Sequence, residues 1–235
     1  MKFEFSKSMV QAKLIRRYKR FLADVELDDG STITVYCPNT GAMTGCVQSG
    51  WRVWLSKSDS LKRKYAYTLE LVETDFGLTC IHSSLANKVV GLALANHEVK
   101  ELQGYSKIQA EVRYGKQNSR ADFLLSTDME KCFVEVKSVT FLREDGRGVF
   151  PDTITRRGSK HLRELIVSKA DGFRAVLFFC VLHAGIDRVS VADDIDPIYA
   201  QILSEAVMVG VEVLAYSCTI DSDGIELSGR INFEE

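Results

Sequence analysis

The stretch Ser119–Thr140, SRADFLLSTDMEKCFVEVKSVT, constrains the fold of this 235-residue chain more than any other. It reads as two short strands, Ser119–Leu125 and Lys131–Thr140, joined by a polar turn at Ser126–Glu130. A turn centred between Asp128 and Met129 sets Leu124 opposite Phe133, Asp122 opposite Glu135 and Arg120 opposite Lys137. Residues two apart on a strand share a face, so these six lie on one side. Ala121, Phe123, Leu125, Cys132, Val134 and Val136 then form an apolar surface fit for a core. Two directly opposed carboxylates repel each other, and a divalent cation offsets that repulsion. Hard cations such as Mg²⁺ (or Mn²⁺) take one or two carboxylates and keep positions for water and phosphate oxygens. Lys137 shares the face of Glu135, where it is placed to hold an attacking water or to neutralise charge on a phosphate. The alternative is an exposed face whose charges pair sideways, Asp122 with Lys137 or Arg120 with Glu135.

Composition limits the class of protein without choosing a function. Hydrophobic residues make up 46% and charged residues 26%, with a net charge of −2, which excludes a disordered chain and a globally basic nucleic-acid coat. The distribution is uneven. Residues 1–84 carry 12 Lys and Arg against 9 Asp and Glu, and residues 85–235 carry 18 against 23. The six cysteines fall at no zinc spacing and in no C-x-x-C, as expected of reduced thiols in a cytoplasmic protein. The longest wholly apolar run, Ala175–Leu182, is too short to span a bilayer. MKFEFSKS lacks the apolar core of a signal peptide, so no membrane partner is expected.

Residues 1–82 read as all-β. Strands are expected at Lys13–Leu27, Ser31–Cys37, Trp51–Leu55, Tyr65–Glu73 and Leu78–His82, a pattern that suits a small OB-like barrel. Arg16, Arg17, Lys19 and Arg20 interleave with Tyr18, and Lys62, Arg63 and Lys64 precede two tyrosines. Cations that track a phosphate backbone and aromatics that stack on bases make these candidates for binding DNA or RNA. The turn-rich loop Pro38–Gly45, with Asn39 and Thr40, offers free backbone N–H groups for a phosphate. From residue 83 to 235 the expected order is helix (Ser83–Leu102), three strands (Lys107–Tyr114 and the two of the hairpin), helix (Gly158–Ala170), strand (Arg174–Leu182), helix (from Pro197) and strand (Val211–Ile220). That order, αβββαβ with a further αβ, is an α/β sandwich on a mixed sheet. Arg156, Arg157, Lys160 and His161 cluster at the second helix N-terminus, an anion-favouring place.

The order αβββαβ with Asp122 followed by Glu135-Val136-Lys137 resembles the PD-(D/E)xK nuclease fold. The strings CPNTGAMTG, KRKYAYTLE, EVRYG, SRADFLL, VEVKSVT, FPDTITRRGSKHLREL and LSEA resemble the sugar fermentation stimulation family, SfsA, over essentially the whole chain. The resemblance implies an OB-like domain over residues 1–82 and a nuclease-like domain over 83–235. It further implies a DNA/RNA nuclease with Asp122 and Glu135 as metal ligands and Lys137 as the catalytic lysine. Glu101 on the preceding helix and Glu111 on the first strand are alternative third ligands, and Lys160 would project toward the site. Ala121 stands where the motif's proline is usual. The rival reading is a non-cleaving DNA-binding regulator of sugar (maltose) metabolism genes. The sequence leaves the oligomeric state open, a homodimer included.

Overall fold

The fold is described from a computed structural model covering residues 1–5, 9–60, 62–115 and 119–234. After a short strand β1 (Lys2–Glu4), the barrel is formed by β2 (Val10–Tyr18), β3 (Leu22–Leu27), β4 (Thr32–Tyr36), β5 (Arg52–Lys57) and β6 (Tyr67–Thr74), with β7 (Gly77–Cys80) on its edge. The sheet order is β4-β3-β2-β5-β6-β7, and a pairing of Tyr36 with Thr68 brings β6 back to β4. Five strands therefore close into an OB-like barrel, filled by Leu14, Val25, Val35, Val53, Leu55 and Leu69. The stretch Lys13–Leu27, expected as one strand, is a hairpin. It reverses at Lys19 and Arg20, both left-handed (φ 49° and 63°). Neither is Gly, Asn or Asp, the residues that announce such a turn. Arg17 holds the tip instead, donating to the Arg20 carbonyl at 2.7 Å.

Helix α1 (Leu85–Ala95) buries Leu85, Val89, Val90 and Ala93, as the apolar stripe requires. It is shorter than the expected Ser83–Leu102, because His97 turns left-handed (φ 57°) and a separate 3₁₀ turn, Lys100–Leu102, follows. The second sheet then runs through β8 (Lys107–Tyr114), β9 (Ser119–Ser126), β10 (Lys131–Val139), β11 (Phe141–Leu142) and β12 (Arg147–Phe150). Next come α2 (Arg156–Ala170), β13 (Arg174–Val181), β14 (Arg188–Val191), α3 (Pro197–Met208), β15 (Glu212–Ile220) and β16 (Gly224–Glu234). Strand order is β11-β12-β14-β16-β15-β13-β10-β9-β8. Strands β10, β13 and β15 are parallel neighbours, and the outer pairs β8–β9 and β9–β10 are antiparallel. The sequence reading omitted β11, β12, β14 and β16. Strand β1, expected with the barrel, pairs with β16 in this second sheet.

Both sheet faces are buried. One carries Phe123, Leu125, Cys132, Val134 and Val136 against α1. The other carries Leu124, Phe133, Leu177 and Phe179 with Leu162 and Leu165 of α2 and Tyr199 of α3. The face expected to carry Glu135 and Lys137 therefore lies under two helices, against the alternative of an exposed charged face. The barrel shares the first core through Trp54, Leu71 and Cys80. Backbone bonds from Cys80 to Leu182 (2.9 Å) and from Ala184 to Leu78 (3.0 Å) fix the two units together. All six cysteines are free thiols, although Cys180 and Cys218 lie 3.7 Å apart at sulfur. Among the described residues no helix is long and apolar enough to cross a membrane.

Asp196 joins the two helices above the site. One carboxylate oxygen caps α3 by accepting from the Tyr199 amide at 3.0 Å, and the other accepts from Thr155, the N-cap of α2, at 2.8 Å. Asp196→Ala removes both bonds at a buried position. It is expected to cost about 2 kcal/mol, read as a lower urea midpoint at unchanged slope. A loss below ~0.5 kcal/mol, the size of an ordinary surface substitution, would show that the aspartate does not tie the helices.

Candidate active site

The hairpin register holds over its paired part, with Leu124 opposite Phe133 and Phe123 opposite Val134. Beyond that pair the strands separate. β10 stays paired with β13, with Glu135 beside Leu177, while β9 stays with β8. The expected face-to-face meeting of Asp122 and Glu135 is corrected accordingly. Asp122 turns toward α1, where its Oδ1 accepts from Asn87 Nδ2 at 2.6 Å. Its Oδ2 accepts from the Val136 amide at 2.7 Å, an N–H that the departing β9 backbone leaves unpaired. The change of alternation also carries Ala121 into the α2-side core, not the α1-side core expected for it.

Glu135 points the other way, under α2, and is 1% exposed. Its Oε1 accepts from Lys137 Nζ at 2.5 Å and is bonded to His161 Nδ1, which lies 3.5 Å from the same lysine. Its Oε2 is buried with no hydrogen-bond partner from the protein, as are the hydroxyls of Tyr114 and Tyr199. Burial works to raise the Glu135 pKa, but the His161 bond and the Lys137 charge outweigh it and hold it below the usual carboxylate range. Asp122 is raised, by burial first and by the charge of Glu135 second, so the two carboxylates sense each other across the seam. Tyr114 is pushed up by burial and by the charges of Glu135, Glu164 and Asp122. Glu164, 1% exposed, stands one turn beyond His161, and its carboxylate fills the space beside Gly115 where a Cβ would lie.

Among the described residues no three His, Cys, Asp or Glu side chains form a ready metal cage. Two carboxylates nonetheless suit a cation that keeps water ligands. The orphaned Glu135 oxygen fits such an ion, since a buried carboxylate oxygen left without a partner is destabilising.

The other expected residues divide. Glu111 lies between Ala110 and Val112, whose partners Phe123 and Ala121 flank Asp122, has a left-handed backbone (φ 55°), and lines the same shallow groove along α1. Glu101 is not at the site: its carboxylate accepts from Tyr216 at 2.6 Å and Arg230 at 2.7 Å, toward the β15–β16 side of the sheet. On α2 it is His161, one residue past the expected Lys160, that reaches Glu135. Arg156 and Arg157 are exposed on the first turn of α2. In the barrel, Arg17 is a structural clamp and not a phosphate ligand, with donors engaged by the carbonyls of Arg20, Asn39, Gly41 and Ala42. Arg16 pairs with Asp24 at 2.9 Å and lies over the Tyr18 ring, whose hydroxyl also bonds Asp24. Lys19, Arg20, Lys62, Arg63 and Lys64 are exposed, with Arg63 over Tyr36 and Lys64 over Tyr65. Asn39 is buried, bonding the Gly41 amide from its own side chain at 2.8 Å, and Thr40 is exposed. The loop's Met43 amide is taken by Asp152, so the loop is tied and not an open phosphate cradle.

Asn87, Glu164, Tyr114 and Tyr199 were not anticipated, and His161 only as one of four charges. His161 and Glu164 are three residues apart on α2, and helical neighbours at that spacing share a face. Counting from Leu162 and Leu165 would have turned both inward.

Comparison with known proteins gives a consistent picture. The profile described as "SfsA N-terminal OB domain" matches residues 15–81. That described as "Sugar fermentation stimulation protein RE domain" matches residues 84–224. A sugar fermentation stimulation protein homolog of Pseudoalteromonas atlantica is 54% identical over 97% of this chain and 98% of its own. One from Saccharophagus degradans is 50% identical over 98% and 99%. The structure of Pyrococcus furiosus SfsA in complex with Ca²⁺ superposes over 100% of both chains with a TM-score of 0.89 at 28% identity.

The raised pKa of Asp122 has a consequence for stability. A carboxyl whose folded pKa lies above its unfolded value of about 3.9 binds protons more tightly when folded, so stability falls as pH rises through that window. Asp122→Asn keeps the acceptor for Val136 and removes the charge. It is expected to stabilise the protein by about 1 kcal/mol at neutral pH, with the gain vanishing below the window. Thermal unfolding of both forms across pH checks this, and a gain independent of pH would overturn it.

Proposed function

The chain belongs to the sugar fermentation stimulation protein (SfsA) family, and we propose that it is a metal-dependent nuclease hydrolysing phosphodiester bonds of DNA or RNA. The observation that carries this is the seam between β9 and β10. There two carboxylates on diverging strands sense one another beside a lysine, and one carboxylate oxygen is buried without a partner. Glu135, through its orphaned Oε2, would hold Mg²⁺ or Mn²⁺, and Asp122, turned toward α1 by its bonds to Asn87 and Val136, would join it only by swinging to the same side. Such an ion, when bound, acidifies a water and offsets charge developing on phosphate oxygens. A relative described in complex with Ca²⁺, another hard cation, supports that choice.

The chain's own residues do the rest. Asn87 and the Val136 amide fix Asp122 from two directions. His161 orients Glu135 from α2. Lys137, bonded to Glu135, is placed to orient a water and to attract the scissile phosphate. Arg156 and Arg157 at the α2 N-terminus meet a flanking phosphate. On the barrel, Tyr18 and Tyr36 stand in register across β3 at one rim, near Lys19, Arg20, Arg63 and Lys64, where a strand could stack and be neutralised.

A second reading, a nucleic-acid-binding protein that does not cut, is favoured by one observation. The Glu135 side chain is only 2% exposed and already compensated by Lys137 and His161. The two readings diverge in a nuclease assay. Cutting is expected with Mg²⁺, none with chelator, and a fall of about 10²-fold or more in Lys137→Ala and in Asp122→Ala. Activity persisting in both variants would place the chemistry elsewhere. Absence of cutting with metal-independent binding that weakens steeply with salt would establish the passive binder.

A further inference from the structure

A cleft of about 270 Å³ lies between the barrel loop at Asn39–Gly41 and the second sheet. Three of the elements that carry the candidate site also reach this cleft. Ser138 follows Lys137, Ser83 stands one helical turn ahead of Asn87, and Thr155 caps the helix that carries His161. Its polar lining residues are neutral or acidic: Thr40, Ser83, Thr140, Thr153 and Thr155, with Asp152. Among the described lining residues there is no Lys or Arg, so the α2 N-terminus at Thr155 is the one anion-favouring feature of the described lining. Ser138 Oγ is buried with no protein partner. Asp152 accepts from the Met43 amide at 3.0 Å, pinning the barrel wall to the second domain. Half-buried Phe141 supplies an aromatic edge.

We propose that this cleft holds one unpaired nucleoside next to the scissile phosphate, so that the substrate is single-stranded nucleic acid or a splayed end and not intact duplex. The inference rests on the nuclease reading for its placement, but its chemistry is separate. Hydroxyls and a carboxylate accept from and donate to ribose hydroxyls and base edges, while repelling the backbone that the cationic surfaces attract. The volume admits one nucleoside and leaves no room for its paired partner, as in enzymes that take a base out of the stack. Asp152, fixed by the barrel loop, makes the pocket a product of both domains.

The test measures binding and cutting of a short single strand and of the same sequence as blunt duplex, using full-length protein. Single strand is expected to bind at least tenfold more tightly. Thr140→Ala, which removes a hydroxyl from a half-buried lining position, is expected to weaken single-strand binding about three- to tenfold. Thr40→Trp, which fills the cleft from an exposed loop position, is expected to weaken it at least tenfold with duplex binding unchanged, once circular dichroism shows a native fold. Equal affinity for duplex, or single-strand binding untouched in both variants, overturns the cleft assignment. If the protein cuts neither substrate yet shows these binding differences, the nuclease reading fails and the cleft stands. If it cuts both substrates equally and ignores both variants, the reverse holds.

Discussion

The arrangement depends on one buried charge, the carboxylate of Glu135 beneath α2. An ionised carboxylate in a dry interior is tolerated only when paired and hydrogen-bonded, and here Lys137 on the same strand and His161 on the helix supply the partners. Removing one partner of such a group typically costs ~3–5 kcal/mol, because the remaining charge is left uncompensated. The helix is therefore held over the sheet by more than Leu162 and Leu165. Its registration fixes where His161 stands, and Asp196 fixes its first turn relative to α3. Packing of α2, capping of α3 and orientation of the acidic pair are parts of one structural problem. The unpaired Oε2, with the unpaired hydroxyls of Tyr114 and Tyr199, is where that problem is left unsolved by the protein alone.

How much of this was legible in the sequence follows from what kind of signal each part leaves. The β9–β10 register was readable because a short polar turn between two alternating runs admits few pairings. The pairing of Leu124 with Phe133 agrees with it. What the pattern could not reveal is where the ladder stops. Strand divergence at Asp122 is a tertiary event, imposed by β13 on one side of β10 and by α1 above β9, and it leaves no composition change behind. The hairpin tip at Lys19 and Arg20 was hidden for a different reason: its left-handed residues are basic, and the compensation comes from Arg17. Conversely β16 was readable, since Ile225, Leu227, Ile231 and Phe233 mark an alternating strand, and it was simply passed over.

The barrel shows why counting cations overstates a binding surface. Of the cluster around Tyr18, Arg17 is consumed by carbonyls of the 38–45 loop and Arg16 by the buried Asp24. Those two shape the barrel, although Arg16 keeps most of its side chain in solvent, as do Lys19 and Arg20 at the tip and Lys62–Lys64 between β5 and β6. The loop that Arg17 clamps is the same loop that Asp152 holds from the second domain. Barrel residues thus enter the neighbourhood of the site as a wall whose position is set by internal bonds, and its orientation does not depend on a ligand.

Asp122 takes the argument furthest, because its placement serves structure and chemistry through the same atoms. Where β9 leaves β10, the Val136 N–H would lose its ladder partner, and an unsatisfied buried amide is destabilising. The Asp122 carboxylate takes that bond, so a side chain replaces a strand. A neutral acceptor would serve the amide as well, yet the position carries a carboxyl whose charge is disfavoured by burial and by Glu135. The positive charge that works against that burial is Lys137, so the lysine that pairs with Glu135 also steadies Asp122.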